Sequence, residues 1–342
     1  MAAISVVLPV FNARATVADA IASLDADILS VEDGDAIEVL AIDDGSTDGS
    51  GAVLDALAAA QPWLRVLHRP HGGIVDALNA GLAAARGSYI ARMDADDTSL
   101  PGRLARQREF LDSHPDIGLV SGRVEFGGDR ARARGYALHV DWLNSLTTPE
   151  AIALGRFIES PFAHPSVMFR RELLAVHGGY RDSDFPEDYE LWLRWMDAGV
   201  RMARIDVPVL LWNDPPARLS RRDPRYSVDA FYSVKARYLA RWLARENPLH
   251  PHVIVWGAGR ITRKRVRLLQ HEGVEVHAWV DIDPDKIGQS IDGTPVLSPD
   301  QLPAPDSSFI LTYVGNRDAR ADIAHWLDTH EYRHGIDYLH AA

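Results

Sequence analysis

The chain has 342 residues, 46% of them hydrophobic and 25% charged, a composition that describes a folded globular protein and excludes wholesale disorder. Its formal net charge of -12 gives no electrostatic reason to bind nucleic acid, so any anion site has to be local. With no cysteine, disulfides and thiolate metal sites are excluded, and the chain is compatible with a reducing cytosol.

The length exceeds the ~100 to 200 residues of one domain and predicts two. Met1-Ala2-Ala3-Ile4-Ser5 lacks a basic stretch followed by a separate apolar one, so no signal peptide is expected. No apolar run approaches the ~18 residues that span a bilayer. The expected location is cytoplasmic, with any membrane contact peripheral, at the inner face.

Ile4 to Val10 is a short apolar run of the kind that forms a strand buried on both faces, and Asn12 supplies a turn after it. A helical pattern follows through Val17, Ala20, Ile21 and Leu24. A second apolar run, Ile37 to Ile42, ends at Asp43-Asp44-Gly45-Ser46. A helix over Ala52 to Ala60, a strand near Val66-Leu67, a helix over Val75 to Ala85 and a strand at Tyr89 to Met93 continue the alternation. This order predicts a doubly wound, mostly parallel sheet with helices on both faces. Ligands of such sheets bind where the carboxyl ends of strands open into loops, and both Asp43-Asp44 and Asp94 to Asp97 stand at such ends.

After a helix over Arg103 to His114 the pattern is less regular until a helical stretch around Tyr189 to Met196, and this middle region is expected to carry the acceptor side. Residues 218 to 245 are locally basic, and their helical part, Ser227 to Arg245, also carries Phe231, Tyr238, Leu239 and Trp242. Asn247-Pro248-Leu249-His250-Pro251 then breaks the chain before a fresh strand at Val253 to Trp256. The expected domains are therefore residues 1–222, a basic helical connector 223–250, and a smaller α/β domain 251–342.

Asp94-Ala95-Asp96-Asp97 places three carboxylates at the end of a buried strand. Either solvent answers their charge, in a turn that caps the next helix, or a hard divalent cation such as Mg2+ or Mn2+ does. Asp44 can accept hydrogen bonds from a nucleobase or ribose, while Asp48 in the same turn can cap the next helix. Glu187-Asp188 stands at a helix start, where negative charge is favourable in its own right; the alternative is a general base for a hydroxyl that attacks an anomeric carbon.

Taken together, Ile4 to Asn12, the Asp43 to Gly49 turn, Ala77-Leu78-Asn79-Ala80-Gly81, Ala91-Arg92-Met93-Asp94-Ala95-Asp96-Asp97, His164 to Arg170 and Glu187-Asp188 resemble the family 2 glycosyltransferases of the GT-A fold, in the family's order. The resemblance implies that Pro9, Phe11 and Asn12 line a nucleotide pocket and that Asp44 contacts the base. It implies Asp96 as a direct ligand of Mn2+ or Mg2+, Asp94 as a contact to the ion or the sugar nucleotide, and Asp188, with Glu187 beside it, as the base that activates the acceptor. Inversion in one in-line displacement follows. The implied partners are a nucleotide-diphosphate sugar and a saccharide or lipid-linked acceptor, in cell-envelope polysaccharide synthesis.

Arg218, Arg221 and Arg222 are read either as a phosphate clamp or as a solvated basic loop. His164, a lone histidine before proline, is not assigned to the metal. The basic aromatic helix either packs on a domain or rests on anionic lipid.

Val253 to Thr262 is a strand followed by a Gly-rich turn, Gly257-Ala258-Gly259, with Asp281 ending the next strand, and so resembles the start of a Rossmann-like dinucleotide unit. Thr262 stands where the third glycine belongs, which counts against a close-bound NAD(P). Two alternatives to the transferase remain: an oxidoreductase using NAD(P) in this C-terminal domain, or a non-catalytic sugar-nucleotide-binding protein.

Overall fold

The computed structural model describes residues 3–30, 37–215 and 218–342. Met1 and Ala2, on which the expectation of no signal peptide partly rests, lie outside the described residues. The chain divides into two compact units, Met1–Ala153 with Pro161–Asp223, and Leu154–Ser160 with Pro224–Ala342. The helix expected as a connector therefore groups with the second unit, and so do seven residues that precede it by more than sixty positions.

The first unit is built on an eight-stranded sheet. Its strands are β1 (Ile4–Val10), β2 (Ile37–Asp43), β3 (Leu64–His68), β4 (Tyr89–Arg92), β5 (Thr98–Ser99), β6 (Ile117–Phe126), β7 (Met168–Arg170) and β8 (Arg201–Trp212). Their spatial order is β3-β2-β1-β4-β7-β6-β8-β5. The first four are parallel; β7 runs antiparallel to both β4 and β6, and β8 returns parallel to β6. Every residue of β1 and β2 is buried, as continuous apolar runs with helices on both faces require.

The helices Ser50–Ala60 and Ile74–Ala84 are the crossovers between these strands. Gly81 is needed for close approach: a Cβ there would lie 2.6 Å from Val7 Cγ1 and 2.7 Å from Ile42 Cδ1, so only glycine lets the helix Ile74–Ala84 settle on the sheet. Pairing Val10 with Asp43, and Val7 with Arg92, brings the ends of β1, β2 and β4 to one rim.

The second unit has strands β9 (His252–Trp256), β10 (Glu275–Val280), β11 (Ser290–Ile291), β12 (Thr294–Leu297), β13 (Ile310–Thr312) and β14 (Tyr338–His340), in the order β11-β12-β10-β9-β13-β14. All pairs but β11–β12 are parallel, so the five parallel strands follow the spatial order 3-2-1-4-5. The basic helix, Val228–Glu246, buries Tyr238, Leu239 and Trp242 in this unit, with the Trp242 ring 5.9 Å from those of Phe157 and Phe309. Its aromatic face is thus occupied by protein, and Arg237, Arg241 and Arg245 form the exposed side. No helix among the described residues is long and apolar enough to cross a membrane.

Candidate functional site

The acidic turn after β4 is held from two directions. Arg103, fully buried at the start of the helix Arg103–Ser113, donates to the carbonyl of Arg92 at 2.7 Å, fixing where β4 ends. From the end of β8, Asn213 donates its backbone N–H to Asp97 Oδ1 at 2.8 Å and its side-chain amide to the carbonyl of Asp96 at 2.8 Å. The result is a group in which Asp94, Asp96 and Asp97 each present a carboxylate oxygen within 4.8 Å of the others.

Burial and the neighbouring Asp94 raise Asp96 to a pKa of about 6, and burial, with Asp94 and Asp96 beside it, holds Asp97 well above the carboxylate range. Asp97 Oδ2 is buried with no hydrogen-bond partner among the described residues. Three crowded oxygen donors, one of them orphaned, fit a hard divalent cation that would supply the missing charge.

Arg92, absent from the residues singled out in the sequence, joins this turn to the second acidic pair. The residue is 2% exposed, and its guanidinium donates to Asp94 Oδ1 at 2.6 Å. Burial alone would lower its pKa, but the charges of Asp94 and Glu187 raise it. Tyr180, pushed up by burial, lies within the fields of Arg92, Glu187, Asp188 and Asp94. Asp94 and the Glu187-Asp188 pair therefore lie within electrostatic reach of one buried arginine and one buried tyrosine.

Asp188 is half-buried at the first turn of the helix Glu187–Asp197, and burial, with Glu187 next to it, lifts its pKa to about 7. This places it where a general base for neutral pH belongs. Tyr180 is positioned by Asn79, which accepts from its backbone N–H and donates to its carbonyl, each at 3.0 Å. The Ala77 to Gly81 motif thus acts through packing and through this clasp. His164 Nε2 lies 2.7 Å from the Tyr180 hydroxyl and its ring packs edge-on against Trp192; burial, reinforced by Arg92, keeps it neutral. It braces Tyr180.

On the other side of β1, Phe11 is 47% exposed and stacks on His71, with ring centroids 4.2 Å apart. Asn12, in the left-handed region at φ 51°, accepts from Thr47 N at 2.9 Å and so ties this rim to the Asp43 to Gly49 turn. Pro9 is a buried strand residue behind it. Asp44 is also buried: its carboxylate accepts from Gly72 N at 2.8 Å and Gly73 N at 2.9 Å and lies 2.8 Å from His71 Nδ1. Its oxygens shape the 71–73 loop, and the ring they position, His71, is the exposed group. The sequence signal for His71 was a lone histidine ahead of Gly72-Gly73, too common to single out.

Of the three arginines read as a phosphate clamp or a solvated basic loop, Arg218 lies over the Trp212 ring at 3.9 Å and its charge partly offsets the rise of Asp96 and Asp97, so it faces the acidic turn. Arg221 is drawn to Asp214 at 2.7 Å, and Arg222 is exposed. In the second unit Asp281 accepts from Ala258 N at 3.0 Å and from Lys286 Nζ at 3.1 Å, while Thr262 donates to the Tyr313 carbonyl at 3.1 Å. These bonds tie the Gly-rich turn to the ends of the neighbouring strands, beside a cavity lined by Gly259, Arg260, Thr262 and Arg263.

The chain is similar to known proteins along both of its units. Residues 5–178 match the model of Glycosyl transferase family 2, and residues 249–333 that of a C2185-like, N-terminal domain. EpsE of Bacillus subtilis (strain 168) is 31% identical over 232 residues, 66% of this chain and 78% of that protein. The amylovoran biosynthesis glycosyltransferase AmsE of Erwinia amylovora is 31% identical over 169 residues, 49% of this chain and 61% of that one. The solved structure of S. aureus TarS 1-349 in complex with UDP-GlcNAc superposes with a TM-score of 0.55 at 18% identity, covering 80% of this chain and 71% of TarS.

The fold and the relatives define a glycosyltransferase, with a first unit of the GT-A type. The chain belongs to the family 2 glycosyltransferases, by a match over half its length.

Proposed function

We propose that the first unit is a divalent-cation-dependent, inverting transferase that moves a sugar from a nucleotide diphosphate to a hydroxyl of a saccharide or lipid-linked acceptor. The observation that carries this reading is that Asp94, one of the three clustered carboxylates, and the Glu187-Asp188 pair share the fields of Arg92 and Tyr180. It brings a cation-binding group and a base of suitable pKa into one neighbourhood. AmsE's role in amylovoran biosynthesis supports a setting in cell-envelope polysaccharide assembly.

In this mechanism the Phe11–His71 pair stacks against the nucleobase, and Asn12 holds that rim in place. Asp96, Asp94 and Asp97 hold Mn2+ or Mg2+, which when bound offsets charge on the diphosphate. Arg218 adds a fixed positive charge on the same side. Asp188 takes the proton from the acceptor hydroxyl as its oxygen bonds to the anomeric carbon. The bond from that carbon to the diphosphate oxygen breaks with its electron pair, so the configuration inverts. Glu187 lies within the field of the Arg92 guanidinium, which favours its charged form, and Asp188, with its raised pKa, is the proton acceptor.

A thermal-shift screen of nucleotide sugars with and without Mn2+ tests this, because a ligand of the native state raises its unfolding midpoint. The expected result is a cation-dependent shift with one donor class, and Mn2+-dependent donor turnover that falls about 10² to 10³-fold in Asp96→Ala. Shifts indifferent to Mn2+, or full turnover in that variant, would refute it.

A further inference from the structure

A second group of donors lies in the other unit, and nothing in the transferase reading uses it. His252 opens β9 and Glu275 opens β10, and the two are register partners in adjacent parallel strands. His277 is two residues beyond Glu275 and, like it, exposed. The pairing also skips His277: Val276 faces Val253 and Ala278 faces Ile254, which makes His277 the extra residue of a β-bulge. Bulges in parallel pairs are rare and serve to re-aim a side chain.

Here the side chain is aimed at its neighbours. His252 Nδ1 lies 3.3 Å from Glu275 Oε2 and His277 Nε2 3.9 Å from the same oxygen, with the two imidazole rings 3.9 Å apart. All three donor atoms fall within 4.8 Å of one another. Ligands bound tetrahedrally at 2.0 to 2.1 Å stand about 3.3 Å apart, so the first separation already has the bound value and the second requires only side-chain rotation. A carboxylate between two imidazoles could be held by ordinary hydrogen bonds, but those would draw each ring nitrogen to roughly 2.9 Å, which neither reaches.

We propose that His252, Glu275 and His277 form a binding site for a borderline-soft transition-metal ion of the Zn2+ type. Two imidazole nitrogens and one carboxylate oxygen select Zn2+, Ni2+ or Co2+ over Mg2+ and Ca2+, which take oxygen sets such as the 94–97 turn. The site lies at the amino ends of β9 and β10, away from the Gly257–Gly259 turn at their carboxyl ends, where ligands of open α/β sheets bind. Its role is that of a clasp joining the first residues of two central strands.

The test is a calorimetric titration of ZnCl2 into the full chain with Mg2+ in large excess, which occupies oxygen-only sites. One Zn2+ per chain is expected, with a rise in the unfolding midpoint of about 2 to 4 °C at saturation. His252→Asn and His277→Asn, both on exposed strand positions, should each weaken binding at least about tenfold. An unchanged Zn2+ affinity in the double histidine variant overturns the proposal, as does the absence of binding to the wild type. Zn2+ binding that survives in that variant but disappears in Asp96→Asn assigns the ion to the acidic turn and likewise overturns it. The cation-dependent nucleotide-sugar shift should be unaltered in both histidine variants, so the outcome is independent of the transferase assignment.

Discussion

Replacing Asp188 by Asn removes a proton acceptor while keeping its shape, and the effects on activity and on stability have opposite signs. Burial, with Glu187 beside it, lifts this carboxyl from 3.8 to about 7, so the folded protein retains a proton that the unfolded chain releases near pH 4. Below the unfolded value the group is neutral in both states and costs nothing. As pH rises toward 7 the cost of keeping it folded grows, and above 7 it is constant. A shift of that size corresponds to about 4 kcal/mol, and because the side chain is only partly buried, solvent screening brings the expectation nearer to about 2 kcal/mol. Asp188→Asn should therefore raise the unfolding midpoint at pH 8 by about 5 °C and leave it unchanged near pH 4. Transfer should fall about 10² to 10⁴-fold, the usual contribution of a general base. In the wild type the same pKa predicts that kcat rises about tenfold between pH 6 and pH 8. Differential scanning calorimetry across that range, paired with a donor-turnover assay, measures both. A midpoint difference that does not vary with pH, or a variant that keeps its turnover, would sink the assignment of Asp188 as a buried base.

Arg92→Met should destabilise the first unit by about 3 to 5 kcal/mol in urea unfolding, because it strands the charges of Asp94 and Glu187 beside a residue that can pair neither. A loss below about 1 kcal/mol would mean that the two carboxylates do not depend on it. Phe11→Ala removes the exposed ring of the Phe11–His71 stack, and should raise the donor KM about tenfold with little change in kcat, as expected for a contact made equally before and during reaction. A change confined to kcat would place Phe11 at the reacting centre instead.

Much of the first half-sheet was legible because its strands are buried on both faces: Ile4–Val10, Ile37–Asp43 and Tyr89–Arg92 are apolar runs that stop at Asn, Asp or Gly. The pattern fails beyond residue 115 for identifiable reasons. β7 has only three residues, and β8 is partly exposed, carries Pro208 and shifts register against β6, so its twelve residues show neither clean alternation nor a continuous apolar run. Within the candidate site, carboxylates announce themselves by clustering, which is what singles out Asp94, Asp96 and Asp188 in the sequence. Arg92 stands inside the Ala91 to Asp97 motif, but its electrostatic link to Glu187, 95 positions away, has no signal in sequence spacing. Asp44 shows the converse. Its place at a strand end pointed to a ligand, whereas the turn of backbone N–H groups that engages it comes from Gly72 and Gly73.

The seven residues from Leu154 to Ser160 interrupt the first unit's stretch of chain yet belong to the second, where Phe157 packs on Trp242 and Ile158 accepts a hydrogen bond from the buried Lys235. No single cut can therefore part the molecule cleanly. A fragment ending at Asp223 would carry an orphaned apolar segment into water, and one beginning at Pro224 would lack a piece of its own interior. Swapping the second unit between relatives as a cassette would require exchanging two stretches of sequence at once, so the two are bound to be inherited together.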